Sequence, residues 1–324
     1  MKIHIPNSAW LGNIDPFIQS LDTKDDTVLH VTSHKTWVSV HPVVLCMIAA
    51  LGLELRRKDP EGNPIHFRVM EAKSKHYFER MGLFAMLGLN SEIKITKHEP
   101  SGRFIPLKQI FNSSNLDDFI KEVIPLLHLS PEQAEPIRYI LSELVRNVFE
   151  HASAINGAIV CAQYYAKTNT IRIGVVDTGV GIKKTLAIHH PKDDLDALRL
   201  ALTPGITGTT HKIGGTEANA GAGLFFVKSL AKISRDFFFI YSGESSYKLL
   251  KNPKNKTIKL IANPLDDHFS AELKLPNWNG TVVAIDLCLN ETLDFTKLLE
   301  EIREVYRKGK KEQSKIKYKK ARFI

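Results

Sequence analysis

Residues 141–224 decide how the chain folds, because they hold three short motifs in a fixed order. The first is ELVRNVFEH at 143–151, the second is DTGVG at 177–181, and the third is GAGL at 221–224. A long loop rich in Thr and Gly separates the second motif from the third. Each motif is short, so it predicts a function only through the side chains that it places close together.

The first motif spaces three polar side chains by four residues: Glu143, Asn147 and His151. On a helix, this spacing places them along one stripe. Such a stripe suits a site for a divalent cation and phosphate, because an amide oxygen binds the cation without adding negative charge. A carboxylate at Glu143 can deprotonate a water aimed at a terminal phosphate. The alternative, for such a triplet in isolation, is a solvated helix face.

The second and third motifs place ligand-binding groups beside glycines. Asp177 follows a predicted buried strand, and its carboxylate can accept a hydrogen bond from the amino group of adenine. The glycines at 179 and 181 let the backbone turn sharply and approach a ligand. The small residues at 221–223 precede a helix predicted from Leu224, whose free N–H groups favour phosphate. An Asp-Thr-Gly turn between two ordinary elements is the alternative for the second motif.

The loop at 183–220 is long for a compact domain, and such loops are usually functional. We expect a helix at 193–202 and a flexible lid at 207–216. Thr209 and Lys212 would offer a hydroxyl donor and a cation to a triphosphate. The pair His189-His190 invites a metal interpretation, which the lack of a third ligand at suitable spacing disfavours.

In this order and spacing, the three motifs resemble the N, G1 and G2 boxes of the GHKL superfamily, which includes gyrase, the large heat-shock chaperones, histidine kinases and MutL. The resemblance covers residues 130–290 and implies an ATP site with Mg²⁺. It makes Glu143 the general base and Asn147 the Mg²⁺ ligand. The other nucleotide-binding positions that it implies are His151, Asp177, Gly179, Gly181, Thr209, Lys212, Gly221, Gly223 and Leu224.

Residues 1–115 predict a separate α/β domain, because strands expected at 27–31 and 65–69 alternate with helices at 43–52 and 77–87. This pattern resembles the STAS-like domains that precede some bacterial GHKL domains. Where such a domain carries a phosphorylatable serine, the chain reads SVHP at 39–42, which places no hydroxyl at the acceptor position. The alternative is a packing or dimerisation domain. Residues 106–115 are the expected linker.

The expected fold class is α/β, with the STAS-like domain followed at 116–290 by a GHKL (Bergerat) α/β sandwich of helices on a mixed β-sheet. Ser130, Pro131 and Gln133 predict a capped helix start. This helix should run to His151. Further elements are expected as helices at 116–127 and 224–232 and as strands at 158–165, 170–176, 237–241, 258–262 and 281–287.

Charge separates the end of the chain from its body. Ten of the 44 Lys and Arg residues, but only two of the 35 Asp and Glu residues, lie at or after Arg303, so this segment carries +8 of the net charge of +9. We expect a C-terminal helix and basic tail at 291–324, either a solvated arm or a surface for nucleic acid or an acidic partner. Three scattered cysteines and the lack of a long apolar run predict a cytoplasmic protein with no membrane partner.

Three functions are compatible with these motifs. The first, which we favour, is a Mg²⁺-dependent ATPase whose lid closure or hydrolysis switches a protein partner or a homodimer. The second is a serine/threonine protein kinase, like the anti-sigma-factor kinases, that acts on a separate STAS-like partner. The third is a non-catalytic module that binds ATP, which the presence of both Glu143 and Asn147 disfavours.

Overall fold

The computed structural model describes residues 1–68, 75–91, 104–126, 129–210, 222–253, 255–289 and 295–318. The structure contains both helices and strands along the chain, in agreement with the expected α/β class. The elements in chain order are β1 (Lys2–Ile5), β2 (Ser8–Ala9), α1 (Asp15–Gln19), β3 (Leu29–Ser33), β4 (Ser39–Val40), α2 (Pro42–Lys58), β5 (Ile65–Phe67), α3 (Lys75–Arg80), α4 (Leu83–Met86), β6 (Phe104–Ile110), α5 (Ser113–Leu126), α6 (Pro131–Asn147), β7 (Ala158–Tyr165), β8 (Thr170–Val176), α7 (Ile182–Thr185), α8 (Asp194–Ala201), α9 (Gly223–Ile233), β9 (Phe238–Gly243), β10 (Ser245–Leu249), β11 (Phe269–Glu272), β12 (Trp278–Cys288) and α10 (Phe295–Tyr318).

The N-terminal unit, residues 1–91, is built on a small parallel sheet in the order β1-β3-β5. The helix predicted after Pro42 is confirmed as α2. His41 caps it, since its Nδ1 accepts a hydrogen bond from the backbone N–H of Val43 at 3.1 Å. The helix predicted at 77–87 is instead two short helices, α3 and α4, because Gly82 (φ 77°) interrupts it.

Among the described residues, seven strands form the large sheet, in the order β11-β10-β9-β12-β8-β7-β6. All six neighbouring pairs are antiparallel, so the expectation of a mixed sheet is wrong for this sheet. The hairpin predicted at 158–176 is confirmed as β7 and β8. The strand predicted at 258–262 is wrong, because these residues form no regular structure and β10 and β11 occupy that edge. Leu260 packs against the core without joining a strand ladder.

The segment expected to be a linker, 106–115, contains most of an edge strand and the start of a helix. β6 pairs with β7 and so extends the large sheet. Pro106 lies where the register shifts between Ile105 and Lys108. An edge strand tolerates proline there because its missing N–H is not needed for pairing. The boundary expected between residues 115 and 116 therefore falls after a strand of the large sheet.

Side chains of the large sheet alternate between two cores, as the period of a strand requires. On one face, residues such as Val160 pack with α5, α6, α9 and α10. On the other face, Ile159 and Cys161 pack with α2. α2 lies so close to β8 that a Cβ on Gly174 would be 2.6 Å from the Cα of Val43. The N-terminal unit and the large sheet therefore share a hydrophobic core.

A buried polar cluster also joins the N-terminal unit to the large sheet. His41 Nε2 lies 3.2 Å from Asp286 Oδ1 in β12. The guanidinium of Arg172 lies 4.1 Å from the ring centre of Trp10 and 4.5 Å from that of Tyr165. Burial lowers the pKa of His41 below its usual value, although Asp286 opposes this shift. His41 is therefore neutral at pH 7 and donates from Nε2 to the carboxylate.

Residues 295–318 form a long helix, α10, as expected for this part of the chain. The helix continues past Arg303, where a solvated arm was one of the two alternatives. Ile302 is fully buried, and Tyr306 packs on Phe225 and Phe226 of α9, with ring centres 6.4 and 6.1 Å apart. These contacts anchor one side of α10. Within the described ranges, no helix combines the length and the apolar character needed to cross a membrane.

Candidate functional site

A cavity of about 300 Å³ lies between the helices and the large sheet. Residues of α6, α7, α9, β8 and β12 and of the loop after α8 line this cavity. Three motifs that are far apart in sequence meet here. The predicted site residues that line the cavity are Glu143, Asn147, His151, Asp177, Gly181, Gly223 and Leu224.

The helix that carries the first motif begins as predicted. Ser130 Oγ accepts a hydrogen bond from Gln133 N at 3.3 Å, and Gln133 Oε1 accepts one from Ser130 N at 3.2 Å. α6 ends at Asn147, and the next turn, Val148–Ala152, is a wider π-helical turn. The helical segment therefore continues to about the expected limit at His151, but its last turn is π-helical and not α-helical. His151 nevertheless lines the cavity, and its Nε2 lies 3.8 Å from a carboxylate oxygen of Glu150.

Asp177 lies in a part of the cavity that is lined mainly by apolar side chains, which we call the apolar end. Only 3% of this residue is exposed, and its Oδ1 accepts a hydrogen bond from Gly179 N at 2.8 Å. Burial raises the pKa of the carboxyl to about 7, although that hydrogen bond acts in the opposite direction. The walls nearby are apolar and include Val175, Ile182 and Val283. An apolar slot with one carboxyl fits a heteroaromatic base that donates a hydrogen bond.

The two glycines of the second motif act differently. Gly179 does not line the cavity, in contrast to the prediction. A Cβ on Gly179 would lie 2.1 Å from the carbonyl oxygen of Ala152, so its role is to let the turn pack against the end of the first motif. Gly181 does line the cavity, and its φ of 77° belongs to the left-handed region that favours glycine.

Glu143 and Asn147 face the start of α9 at the polar end of the cavity. A Cβ on Gly223 would lie 2.5 Å from Glu143 Oε2 and 3.7 Å from Asn147 Nδ2. Burial raises the pKa of Glu143, and the nearby Arg146 opposes this shift from 3.9 Å. Asn147 Nδ2 is buried and has no hydrogen-bond partner among the described residues. Because buried polar groups are nearly always paired, this N–H₂ group is a candidate donor to an acceptor such as a phosphate oxygen.

The start of α9 adds backbone donors to the same end. Ala222, at the N-cap, provides no side-chain cap. The first N–H groups of a helix have no partner inside the helix, and they carry a positive partial charge. Because Gly223 and Leu224 line the cavity, this end favours an anionic ligand.

The predicted lid lies partly outside the described residues. Its base is described, and Thr207 and Gly208 line the cavity. Thr209 does not line it, and its hydroxyl lies 3.2 Å from that of Thr207. Lys212 and Gly221 fall within 211–221, outside the described ranges. The helix predicted before the lid is confirmed as α8.

His189 anchors the base of the lid, since its Nε2 lies 2.8 Å from the carbonyl oxygen of Thr207. Among the residues that the structure describes, no cluster of three or more His, Cys, Asp or Glu side chains is placed to hold a metal ion. A Mg²⁺ site made of the Asn147 amide, ligand phosphates and waters would not form such a cluster.

Several cavity residues were not predicted from the sequence. Arg146 and Glu150 lie inside the first motif, and their spacing from Glu143 by three and seven residues could have placed them on the same side of the helix. Tyr139 lies one turn before Glu143, so the same helical spacing could have placed it beside the cavity. Thr281 reaches the cavity from β12, and only the antiparallel pairing of β12 with β8 brings it there.

Comparison with known proteins adds no further constraint. The chain matches no family model, and a search of curated proteins finds no match for it. The function must therefore be inferred from the chemistry of the cavity.

Proposed function

We propose that the cavity binds ATP with Mg²⁺ and that the chain is a Mg²⁺-dependent ATPase of the GHKL type. One observation carries this proposal: a single cavity is lined by a buried carboxyl, Asp177, among apolar side chains and by Asn147, a buried amide whose Nδ2 has no partner among the described residues. Asn147 lies with Glu143 beside the start of α9. ATP has the complementary arrangement, with an aromatic amine at one end and phosphates at the other.

The apolar end selects the base. In its ionised form, Asp177 accepts a hydrogen bond from the amino group of adenine. Guanine presents a carbonyl oxygen at that position, and two acceptors in a buried site leave both groups unpaired. We therefore expect adenine nucleotides to bind and guanine nucleotides to be excluded above pH 7, where the carboxyl is ionised.

The polar end holds the phosphates and acts on water. The N–H groups at the start of α9 bind phosphate oxygens, and the amide oxygen of Asn147 would hold Mg²⁺. When bound, Mg²⁺ neutralises charge on the phosphate oxygens. Glu143 orients a water and takes its proton as the water oxygen bonds to the terminal phosphorus and the phosphoanhydride bond breaks. Its raised pKa makes it a stronger base than an exposed glutamate.

The proposal extends to the fold and the partner. Helices on one face of a sheet, with the cavity between the two layers, support a GHKL sandwich for the second part of the chain. The strand and helix order of the N-terminal unit supports a STAS-like relationship. Burial of α2 against the large sheet favours the packing role for this unit over a phosphoacceptor role. Lid closure would then act on a protein partner or a second copy.

Calorimetry and a phosphate-release assay on the full chain test the proposal. We expect ATP and ADP to bind, GTP not to bind, and phosphate release to require Mg²⁺. Glu135→Gln, at an exposed position of α6 two turns before Glu143, is the matched control and should behave like the parent. Transfer of labelled γ-phosphate to protein without phosphate release would favour the kinase alternative. Failure of both ATP and ADP to bind would refute the proposal.

A further inference from the structure

α10 presents a basic face that the proposed ATP site does not use. At about 100° per residue, Arg307, Lys308, Lys311 and Lys315 fall within an arc of about 100° around the helix. All four are exposed. The buried Ile302 lies on the opposite side of α10. We call these four cations the basic face.

The basic face is not neutralised by the protein. Within the described part of the chain, none of the four cations shares an ion pair; the ion pair on α10 joins Arg303 to Glu300, further upstream. The exposed acids Glu301 and Glu304 also lie upstream, so the charge of the outer surface changes sign between Glu304 and Arg307. Glu312 flanks the basic face at the edge of its arc. The downstream half of α10 is therefore strongly positive.

The anchored side of α10 holds the basic face in a fixed orientation. Tyr306 packs on the aromatic rings of α9. Gly309 is buried, and a Cβ there would lie 2.8 Å from Ala262 Cβ and 3.2 Å from Pro204 Cγ. Because the helix is ordered before any ligand arrives, binding would not cost the entropy of folding an arm.

The chemistry of the basic face restricts the kinds of partner that it could bind. A helix that binds a membrane surface needs apolar side chains beside its cations, but the apolar side of α10 is packed against the protein. Proteins that bind single strands stack bases on aromatic side chains. Over 295–315, α10 exposes no aromatic side chain. Cations without apolar or aromatic neighbours fit the backbone of a duplex, which a protein can bind through its phosphates without contacting the bases.

We propose that the basic face of α10 binds the phosphate backbone of duplex DNA without reading its sequence. The wide major groove of B-form DNA admits an α-helix, with phosphates on both flanks. The A-form groove of duplex RNA is too narrow for this. Four phosphate contacts predict a slope of about −3.6 for log affinity against log salt, which is about 150-fold weaker binding at 200 mM than at 50 mM salt.

The test is fluorescence anisotropy of the full chain with a fluorescein-labelled 20-base-pair DNA duplex of arbitrary sequence, titrated with salt. The test variant combines Arg307→Gln, Lys311→Gln and Lys315→Gln, which are exposed and compatible with a helix. The control combines Lys35→Gln, Lys167→Gln and Lys256→Gln, which remove the same charge at exposed positions elsewhere. Circular dichroism verifies that both variants are folded.

We expect the parent to bind DNA with this salt dependence and the control to match it. For the test variant, the magnitude of the slope should fall by about 2.7, and binding at low salt should be at least tenfold weaker. Equal losses in test and control variants would show only a net-charge effect and would overturn the proposal. So would an absence of DNA binding by the parent, or tighter binding to duplex RNA, single-stranded DNA or phosphatidylserine vesicles than to the DNA duplex.

Discussion

The protonation of Asp177 links the stability of the fold to pH. Burial raises its pKa to about 7 from 3.8. The folded protein therefore holds this proton more tightly than the unfolded chain does. The free energy of unfolding should fall as pH rises from about 4 to 7, and the penalty is complete above the folded pKa. Asp177→Asn removes the titrating group and with it this penalty.

The size of the effect follows from the two pKa values. A difference of about 3 units corresponds to about 4 kcal/mol at 1.36 kcal/mol per unit. Integrating between pH 5 and pH 8 gives a loss of about 2.5 kcal/mol for the parent from this group alone. The contacts of the new amide affect Asp177→Asn equally at both pH values. The informative quantity is therefore the stability of Asp177→Asn relative to the parent, compared between pH 5 and pH 8.

Urea unfolding of the parent and Asp177→Asn at pH 5 and pH 8 measures this difference. Relative to the parent, the variant should gain about 2.5 kcal/mol more at pH 8 than at pH 5. Asp117→Asn, at an exposed position of α5, should show no such gain. If Asp177→Asn tracked the parent at both pH values, the carboxyl would not have a raised pKa and the account of the apolar end would be wrong.

Three further tests concern the base-binding end of the cavity, Gly223 and the end of α10. The affinity of the parent for adenosine, which has no phosphate that titrates near pH 7, should fall by up to tenfold per unit below pH 7 as Asp177 takes up a proton; a flat profile would contradict base recognition by the ionised carboxyl. Gly223→Ala pushes the Glu143 carboxylate away, so phosphate release should fall at least tenfold while ATP affinity by calorimetry changes less; equal losses would count against this. Truncation after Glu301 removes the buried Ile302 and should cost about 2–5 kcal/mol in urea unfolding; unchanged stability would restore the solvated arm.

Local signals in the sequence predicted the elements that depend on neighbouring residues. The capping box of Ser130 and Gln133 located the start of α6, since both hydrogen bonds form within one turn. Two apolar segments joined around Lys167-Thr168-Asn169 predicted β7 and β8. The strand β6 was missed because Pro106 indicates a linker unless the segment is known to lie at the edge of a sheet.

The sequence predicted that Glu143, Asn147 and Asp177 would meet at one site, and all three line the same cavity. It did not predict which other residues form the walls of that cavity. The π-helical turn after Asn147 changes the period of the helix, and no local sequence pattern predicted this turn. Thr281 and Val283 reach the cavity only through the pairing of β12 with β8. Such contacts depend on register between distant strands, which the sequence does not display.

The packing of the N-terminal unit was also not predictable from local pattern. The apolar sequence of α2 indicated burial, but not which surface buries it. Gly174 permits close contact with α2 because it has no Cβ, and in sequence it is an ordinary glycine within a strand. The antiparallel order of the large sheet likewise depends on how the strands pair after folding.

Phosphate release by Glu143→Gln tests the central claim most directly. The amide has the shape of the carboxylate but cannot take a proton from water. We expect this variant to bind Mg·ATP within about threefold of the parent and to release phosphate about 10²–10⁴-fold more slowly. Asn147→Ala, measured beside it, should instead lose the Mg²⁺-dependent part of ATP affinity. A Glu143→Gln protein that hydrolyses ATP at the parent rate would contradict the claim that this cavity is an ATPase site with Glu143 as its base.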